Sequence, residues 1–149
     1  MKVTEEGIGL ICKFEGFSSK AYKCPAGVWT IGFGNTYYAD GTKVKMGDTI
    51  DREGAYQLLK ITVERFSNDV KKLLKVTLNE NQFSALVSFA YNVGVANLKS
   101  STLLRKVNIN PSDPTIRNEF NKWVFAGGKK LNGLVRRRQA EGDLYCEKC

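Results

Sequence analysis

The stretch Gly27-Val28-Trp29-Thr30-Ile31-Gly32-Phe33-Gly34 decides the fold class of this chain. Its β-branched and aromatic side chains favour strands, and its glycines let a backbone approach a ligand closely. Downstream, Asp40-Gly41 is a pair typical of the turn between two strands of a hairpin. Residues 17 to 50 therefore predict a small antiparallel sheet.

Helical periodicity flanks this sheet on both sides. Thr4 can cap a first helix, which should end at about Phe14 or Glu15. A later helix should have Asp113 as its cap and Pro114 as its first residue. In all, later helices are expected over residues 51–75, 77–94, 101–107, 114–124 and 134–145, with a loop over residues 127–133.

The order of a helix, a small sheet, a long helix and a cluster of helices predicts an α+β fold with the sheet segregated near the start. A length of 149 residues suits a single domain, residues 1–149, built of two lobes. We expect a small N-terminal sheet lobe at about residues 15–55. A larger helical lobe should contain residues 76–149 and the first helix, and the long helix should join the two lobes.

Composition narrows the chemistry that the chain can perform. The formal net charge of +8 favours anionic partners such as nucleic acid, lipid head groups or a bacterial envelope, without choosing among them. The chain contains no histidine, so it lacks the most common general base and metal ligand. No stretch suits a membrane span, and the first residues lack the apolar core of a signal peptide.

The four cysteines are too sparse for a disulfide scaffold. We expect reduced thiols, with Cys12 packed as a small core residue. The alternative is a zinc site in which Cys146 and Cys149 are joined by Cys12 and Cys24, although these spacings fit no familiar zinc pattern. The expectation is therefore that the protein uses no metal and no cofactor.

Glu15 is the sharpest candidate for a catalytic residue. It lies between Phe14 and Gly16-Phe17, where the first helix gives way to the sheet. A carboxyl group packed on aromatic rings loses hydration, which disfavours its charged form and would keep a proton available for a leaving group. The alternative is a helix-end glutamate that is merely solvated.

Cys24 and Thr30 follow Glu15 in the sheet segment. Eight residues separate Glu15 from Cys24, and five separate Cys24 from Thr30. On local sequence alone, Cys24 is a loop cysteine and Thr30 is a packing residue of a strand. Catalysis by a Cys–His pair is excluded, because the chain has no histidine.

At this spacing the chain resembles the lysozymes and endolysins of tailed phages, glycoside hydrolase family 24. Residues 27–34 are similar to the family's sheet motif, and residues 78–94 are similar to its central helix. The chain is also similar to the family's C-terminal signature, at Trp123, Gly127-Gly128, residues 133–138 and Glu141. The resemblance covers nearly the whole chain, with its segments in the same order.

The resemblance implies a lysozyme-like fold with a cleft between two lobes. It also implies hydrolysis of the β-1,4 bond between N-acetylmuramic acid and N-acetylglucosamine in peptidoglycan. In the implied catalytic triad of Glu15, Cys24 and Thr30, Glu15 protonates the glycosidic oxygen and Thr30 helps hold the attacking water. The expected substrate contacts are Tyr91, Asn92 and Ser101. A core or capping role is an equal alternative for each of these three.

Two positions depart from the family's pattern. Many relatives carry Asp where this chain has Cys24, and glycosidases commonly use two carboxylates. The resemblance favours inversion of the anomeric centre, but the cysteine leaves the stereochemical outcome open. Asn35 stands where relatives usually have His, and we expect a changed local hydrogen bond there rather than lost activity.

The resemblance also sets the expected partners and location. The expected protein is a monomeric endolysin that acts on peptidoglycan, binds no nucleic acid and does not insert into a membrane. Without an export signal it would accumulate in the host cytoplasm. It would reach the periplasmic wall after the membrane is permeabilised, with a holin as a candidate indirect partner.

Two rival functions and two local hypotheses stay open. The rivals are a basic nucleic-acid-binding domain and a lysozyme-like protein that binds glycan without cutting it. Residues 136–138 are expected to form a solvated helix face, with Arg138 and Glu141 paired at i,i+3. Because the family's C-terminal tail should return near the first helix, Cys146 or Cys149 could pair with Cys12 in an oxidising compartment.

Overall fold

The computed structural model describes residues 1–147. Within that part of the chain, helices dominate and the strands are short. The elements in chain order are α1 Glu5–Glu15, β1 Ser18–Lys23, β2 Trp29–Gly32, α2 Arg52–Leu73, α3 Glu80–Val93, α4 Val95–Ser100, α5 Thr102–Ile109, α6 Ile116–Phe120, β3 Phe125–Ala126, β4 Lys129–Lys130 and α7 Asn132–Cys146. This content confirms the α+β class.

The chain divides into two compact units. The sheet unit is Ile11–Arg65, and the helical unit is Met1–Leu10 together with the chain from Phe66 onward. The sheet unit contains β1 and β2, whereas α3 to α7 belong to the helical unit. The chain passes from the first to the second within α2.

The sheet unit is organised by one antiparallel ladder. Tyr22 stands opposite Thr30, and the register shifts between Ser18 and Tyr22, which bends the first strand. A second reversal follows at the expected turn, where the Asp40 side chain accepts a hydrogen bond from the Thr42 backbone, with an Oδ1–N distance of 2.9 Å. The small antiparallel sheet and its Asp-Gly turn are therefore as expected.

The core of the helical unit is centred on α3. Residues 83–90 of this helix are all buried. The helix begins in a capping box, in which Asn79 and Gln82 each bond the other's backbone N–H, with distances of 2.7 and 3.0 Å. Phe89 meets the rings of Phe120 and Trp123 edge-on. The apolar stripe is thus packed core, because apolar side chains on one helical face bury together.

The secondary structure differs from the expectation in several places. Helix α6 begins at Ile116 rather than Pro114, because the Asp113 carboxylate accepts hydrogen bonds from Thr115 and forms a separate turn. The expected loop over residues 127–133 instead contains β4 and the turn of the β3–β4 hairpin, Gly127-Gly128, with φ values of 57° and 80°. Residues 95–100, for which no helix was expected, form α4.

The prediction that residues 136–138 form a solvated helix face is wrong for two of the three arginines. Arg136 is exposed, but Arg137 and Arg138 are buried with Glu141. The i,i+3 pair of Arg138 and Glu141 is present, inside the protein rather than at its surface. A local charge pattern could not reveal this, because the partners that make burial possible come from α3.

Cys12 is half-buried rather than a full core residue, and burial raises the pKa of its thiol. Cys12, Cys24 and Cys146 are free thiols. Cys149 lies outside the described residues, so a disulfide with Cys12 stays a hypothesis. Among the described residues, no helix combines the length and apolar character needed to cross a bilayer.

Candidate active site

Glu15 is the last residue of α1, and the backbone around it makes room for its carboxyl group. Gly16 ends the helix with a φ of 71°. Gly34, with a φ of 81°, lies directly beside the carboxyl, and a Cβ added at Gly34 would stand 2.6 Å from Glu15 Oε1. The sheet motif therefore leaves a gap that only glycine permits, and the Glu15 side chain occupies it half-buried.

Cys24 lies in the tight reversal between β1 and β2. Its backbone N–H donates to the Val28 carbonyl, with an N–O distance of 3.0 Å. Hydrogen bonding to the Val28 backbone is the largest of the effects that lower the pKa of the Cys24 thiol, and the Ala26 backbone and the Thr30 hydroxyl add to it. The thiol is thus biased toward the thiolate, the form that can stabilise positive charge.

Thr30 is a buried residue of β2. Its hydroxyl donates to the Val28 carbonyl, with an oxygen–oxygen distance of 3.0 Å. The same proton can instead point to the Cys24 sulfur, and in either orientation the hydroxyl oxygen keeps lone pairs that can accept a hydrogen bond from a water molecule. The loop from Cys24 to Val28 therefore orients both Cys24 and Thr30 of the implied triad.

Tyr22 belongs to the same neighbourhood, although the sequence reasoning missed it. Burial is the main cause that raises the pKa of the Tyr22 phenol, and the charges of Glu15 and Cys24 raise it further. Tyr22 also stands directly opposite Thr30 in the ladder, so the two side chains share one face of the sheet. The signal available in the sequence was strand alternation, which puts Tyr22 and Cys24 two positions apart.

Asn35 has a structural role, as expected. It exchanges two backbone hydrogen bonds with Ile31 of β2, and its side-chain Nδ2 donates to Thr62 of α2 at 2.7 Å. The buried Oδ1 accepts no hydrogen bond from the residues that the structure describes. Asn35 therefore attaches the sheet motif to the long helix.

The residues expected to contact substrate lie in the helical unit. The ring of Tyr91 packs against Phe66, with centroids 5.1 Å apart. Asn92 is exposed, and its Oδ1 accepts a hydrogen bond from Arg138. The Ser101 hydroxyl caps α5, accepting from Leu104 N at 3.0 Å and donating to a backbone carbonyl. The capping role of Ser101 is thus observed, whereas substrate contact stays a prediction for all three residues.

A polar pocket of about 410 Å³ lies in the same unit. Its lining residues are Ser100, Ser101, Thr102, Glu119, Lys122 and Trp123. Burial acts to raise the pKa of Glu119, but hydrogen bonds from Lys106 and Lys122 outweigh it and lower that pKa. The wall of the pocket therefore carries a carboxylate that its lysine partners hold in the charged form.

Comparisons with known proteins found related sequences over nearly the whole chain. The Phage lysozyme family matches residues 12–141. The endolysin of Bacillus phage B103 is 46% identical over 147 residues, which are 97% of this chain and 54% of that endolysin. The endolysin of Acyrthosiphon pisum secondary endosymbiont phage 1 is 37% identical, with 97% of this chain and 98% of that endolysin covered. The chain thus spans about half the length of the first relative and nearly all of the second.

A similar fold is found among solved structures. The endolysin from Escherichia coli O157:H7 phage FAHEc1 superposes with a TM-score of 0.87 and 37% identity, covering 99% of this chain and 94% of that one. Agreement at this level over both chains confirms the lysozyme-like fold class.

Proposed function

Because this chain belongs to the phage lysozyme family, we propose that it is an endolysin that hydrolyses the β-1,4 bond between N-acetylmuramic acid and N-acetylglucosamine in peptidoglycan. The observation that carries the proposal is the placement of Glu15 against Gly34, in a neighbourhood shared with Tyr22 and Cys24. A carboxyl that is partly withdrawn from water and lies near polar groups suits the general acid of glycoside hydrolysis, with Cys24 standing where many glycosidases carry a second carboxylate. Membership of this family does not favour the nucleic-acid-binding alternative.

In the proposed mechanism, Glu15 is the general acid. It donates its proton to the glycosidic oxygen, and positive charge develops on the muramic acid ring as the bond breaks. Water then attacks from the opposite face of the ring. Support for a water site comes from the Thr30 hydroxyl oxygen, whose lone pairs can accept a hydrogen bond, and from the lowered pKa of Cys24.

Inversion is the outcome that this arrangement favours. A thiolate at Cys24 that stabilises charge or orients water leads to inversion, whereas direct attack by its sulfur would give a covalent intermediate and retention. The anomer that forms first, observed by NMR during hydrolysis of a defined oligosaccharide, distinguishes the two.

The decisive experiment compares Glu15→Gln with the wild type in a turbidity assay on permeabilised Gram-negative cells. The substitution keeps the size of the side chain and removes its acidic proton, so we expect clearing to fall by at least about a hundredfold. Glu6→Gln, an exposed position of the same helix, is the matched control and should clear normally. Undiminished clearing by Glu15→Gln would remove Glu15 from the mechanism.

The biological setting that we propose is lysis of the host at the end of phage infection. In this setting a monomeric enzyme collects in the host cytoplasm and reaches the wall when the membrane is permeabilised, with a holin acting indirectly. Expression with and without a membrane-permeabilising protein checks the route. Lysis of intact cells without any permeabilisation would contradict a cytoplasmic stage.

A further inference from the structure

The Asn92 side chain is exposed, yet one end of its amide is held from inside the protein. Asn92 lies in the last turn of α3, and its Oδ1 accepts a hydrogen bond from Nη2 of Arg138. Arg138 itself is fully buried. An exposed amide ordinarily samples several rotamers, so the contact with a buried group fixes an orientation that solvent alone would not.

Several contacts hold the guanidinium group of Arg138 in turn. Its Nε donates to the Trp123 carbonyl at 2.9 Å, and its Nη1 donates to the Glu141 carboxylate. Its central carbon lies 4.9 Å from the centre of the Phe89 ring. Because a guanidinium is planar and its N–H groups have fixed directions, these contacts determine where Nη2 meets Asn92.

The same contact determines which end of the Asn92 amide faces outward. A guanidinium carries only donors, so the atom that meets it must be the amide oxygen. The amide nitrogen is therefore turned away from Arg138, and no residue that the structure describes accepts a hydrogen bond from it. Since Arg138 bonds Asn92 and Trp123 through neighbouring nitrogens, the amide lies near Trp123, which lines the polar pocket of the helical unit.

We propose that Arg138 is a positioning residue for substrate recognition, which holds the Asn92 amide so that its N–H groups donate to a carbonyl oxygen of peptidoglycan. The inference rests on the proposed function, and it adds a buried residue to the expected contact at Asn92. Amide carbonyls occur in the acetamido groups of the sugars and in the stem peptides, and both are neutral acceptors. An amide that is already oriented loses less conformational entropy on binding, which strengthens the contact.

Binding is measured in a Glu15→Gln background, so that peptidoglycan is held without being cut, and sedimentation with insoluble peptidoglycan gives the affinity. Asn92→Asp keeps an oxygen for Arg138 but replaces the outward N–H groups with a second oxygen, so we expect the affinity to fall about tenfold. Asn118→Asp, at an exposed position of α6, makes the same change of charge and should bind like the parent. Both variants should keep the melting temperature of the parent.

A double-mutant cycle tests whether Arg138 acts through Asn92. Arg138→Lys keeps a positive charge for Glu141, but an ammonium group lacks the fixed directions of a guanidinium, so the affinity should fall several-fold. Asn92→Ala should cause a similar fall. The double variant should bind no more weakly than Asn92→Ala alone, whereas independent effects would add. Arg137→Lys, which perturbs the same buried cluster at Ser88 and Glu141, is the control and should bind like the parent.

Two preparations of peptidoglycan distinguish the sources of the carbonyl. Loss of affinity that persists on glycan strands stripped of stem peptides assigns the acetamido group, and loss confined to intact peptidoglycan assigns the stem peptide. Unchanged binding of Asn92→Asp to both preparations, or additive losses in the cycle, would overturn the proposal. Hydrolysis with Glu15 intact is measured separately. Binding in the expected pattern without hydrolysis would refute only the proposed function, whereas hydrolysis that is indifferent to Asn92 would refute only the role of its amide.

Discussion

At the scale of single residues, the candidate site depends on small spaces and single hydrogen bonds. Glu15 has room for its carboxyl because Gly34 carries no side chain, and Cys24 lies in a turn whose backbone groups lower its pKa. Neither residue is distinctive in the sequence by itself. Their neighbours decide what they can do, because proton affinity depends on hydration and on nearby dipoles.

Gly34→Ala should impair activity far more than stability alone explains. The new Cβ would stand 2.6 Å from Glu15 Oε1, so the carboxyl must move, and the backbone φ of 81° adds strain. Gly41→Ala, in the Asp40-Gly41 turn, has a similar φ of 89° with open space around it, so it carries the strain without the contact. We expect each variant to lose roughly 1–2 kcal/mol of stability from this backbone strain, measured by urea denaturation. Only Gly34→Ala should lose cell-wall clearing, and equal clearing by both would count against the placement of Glu15.

Cys24 should react with iodoacetamide at a lower pH than an ordinary thiol. The thiolate is the reactive form, and the pKa of Cys24 is lowered, so its alkylation rate should rise with pH earlier than that of Cys12, whose pKa is raised. Rates at each position follow from mass spectrometry of digested protein over a range of pH. Thr30→Val removes a hydroxyl that lowers the Cys24 pKa, so it should shift the Cys24 profile to higher pH. An unshifted profile would argue against that hydrogen bond.

At the scale of elements, α7 is attached to α3 by a buried polar cluster. The Glu141 carboxylate accepts hydrogen bonds from Ser88 of α3, at 2.5 Å, and from Arg137 and Arg138 of its own helix. Arg138 in turn donates to Asn92 at the end of α3. A cluster of this kind specifies how two helices meet, since each partner would be costly to leave buried and unpaired.

Glu141→Ala should therefore be strongly destabilising. It leaves two buried guanidinium groups without their carboxylate, and the loss of one partner from a buried ion pair costs about 3–5 kcal/mol. Arg136→Ala, at the exposed position of the same helix, should change stability by less than about 0.5 kcal/mol. Urea denaturation measures both. Similar small losses in the two variants would mean that the cluster contributes little to stability.

At the scale of the whole molecule, the net charge of +8 should affect how fast the enzyme reaches an anionic wall. Between about 0.01 M and about 1 M salt the range of electrostatic attraction shrinks from about 30 Å to about 3 Å. Clearing of cell walls should therefore slow markedly as salt is added. Hydrolysis of a short soluble oligosaccharide of N-acetylmuramic acid and N-acetylglucosamine, which carries few charges, is the control and should change little. A parallel decline of the two rates would point to an effect of salt on the enzyme itself.

The division into two units also belongs to this scale. Glu15, Cys24 and Thr30 all lie in the sheet unit, so this group is assembled within 55 consecutive residues, Ile11–Arg65. The residues expected to contact substrate lie in the helical unit. Catalysis and recognition are therefore open to separate mutational tests.

The sequence by itself determined the approximate extents of the long helices and of the small sheet. It also determined the spacing of Glu15, Cys24 and Thr30 along the chain. The ends of α1, α2 and α3 follow from caps, glycines and a 3.6-residue apolar period, which are local properties. Only the tertiary structure decided that Arg137 and Arg138 are buried. It also decided that Tyr22 lies near Glu15 and that the Glu15 carboxyl fits beside Gly34. Each depends on groups distant in the chain, and neither burial nor pKa can be assigned until those groups are in contact.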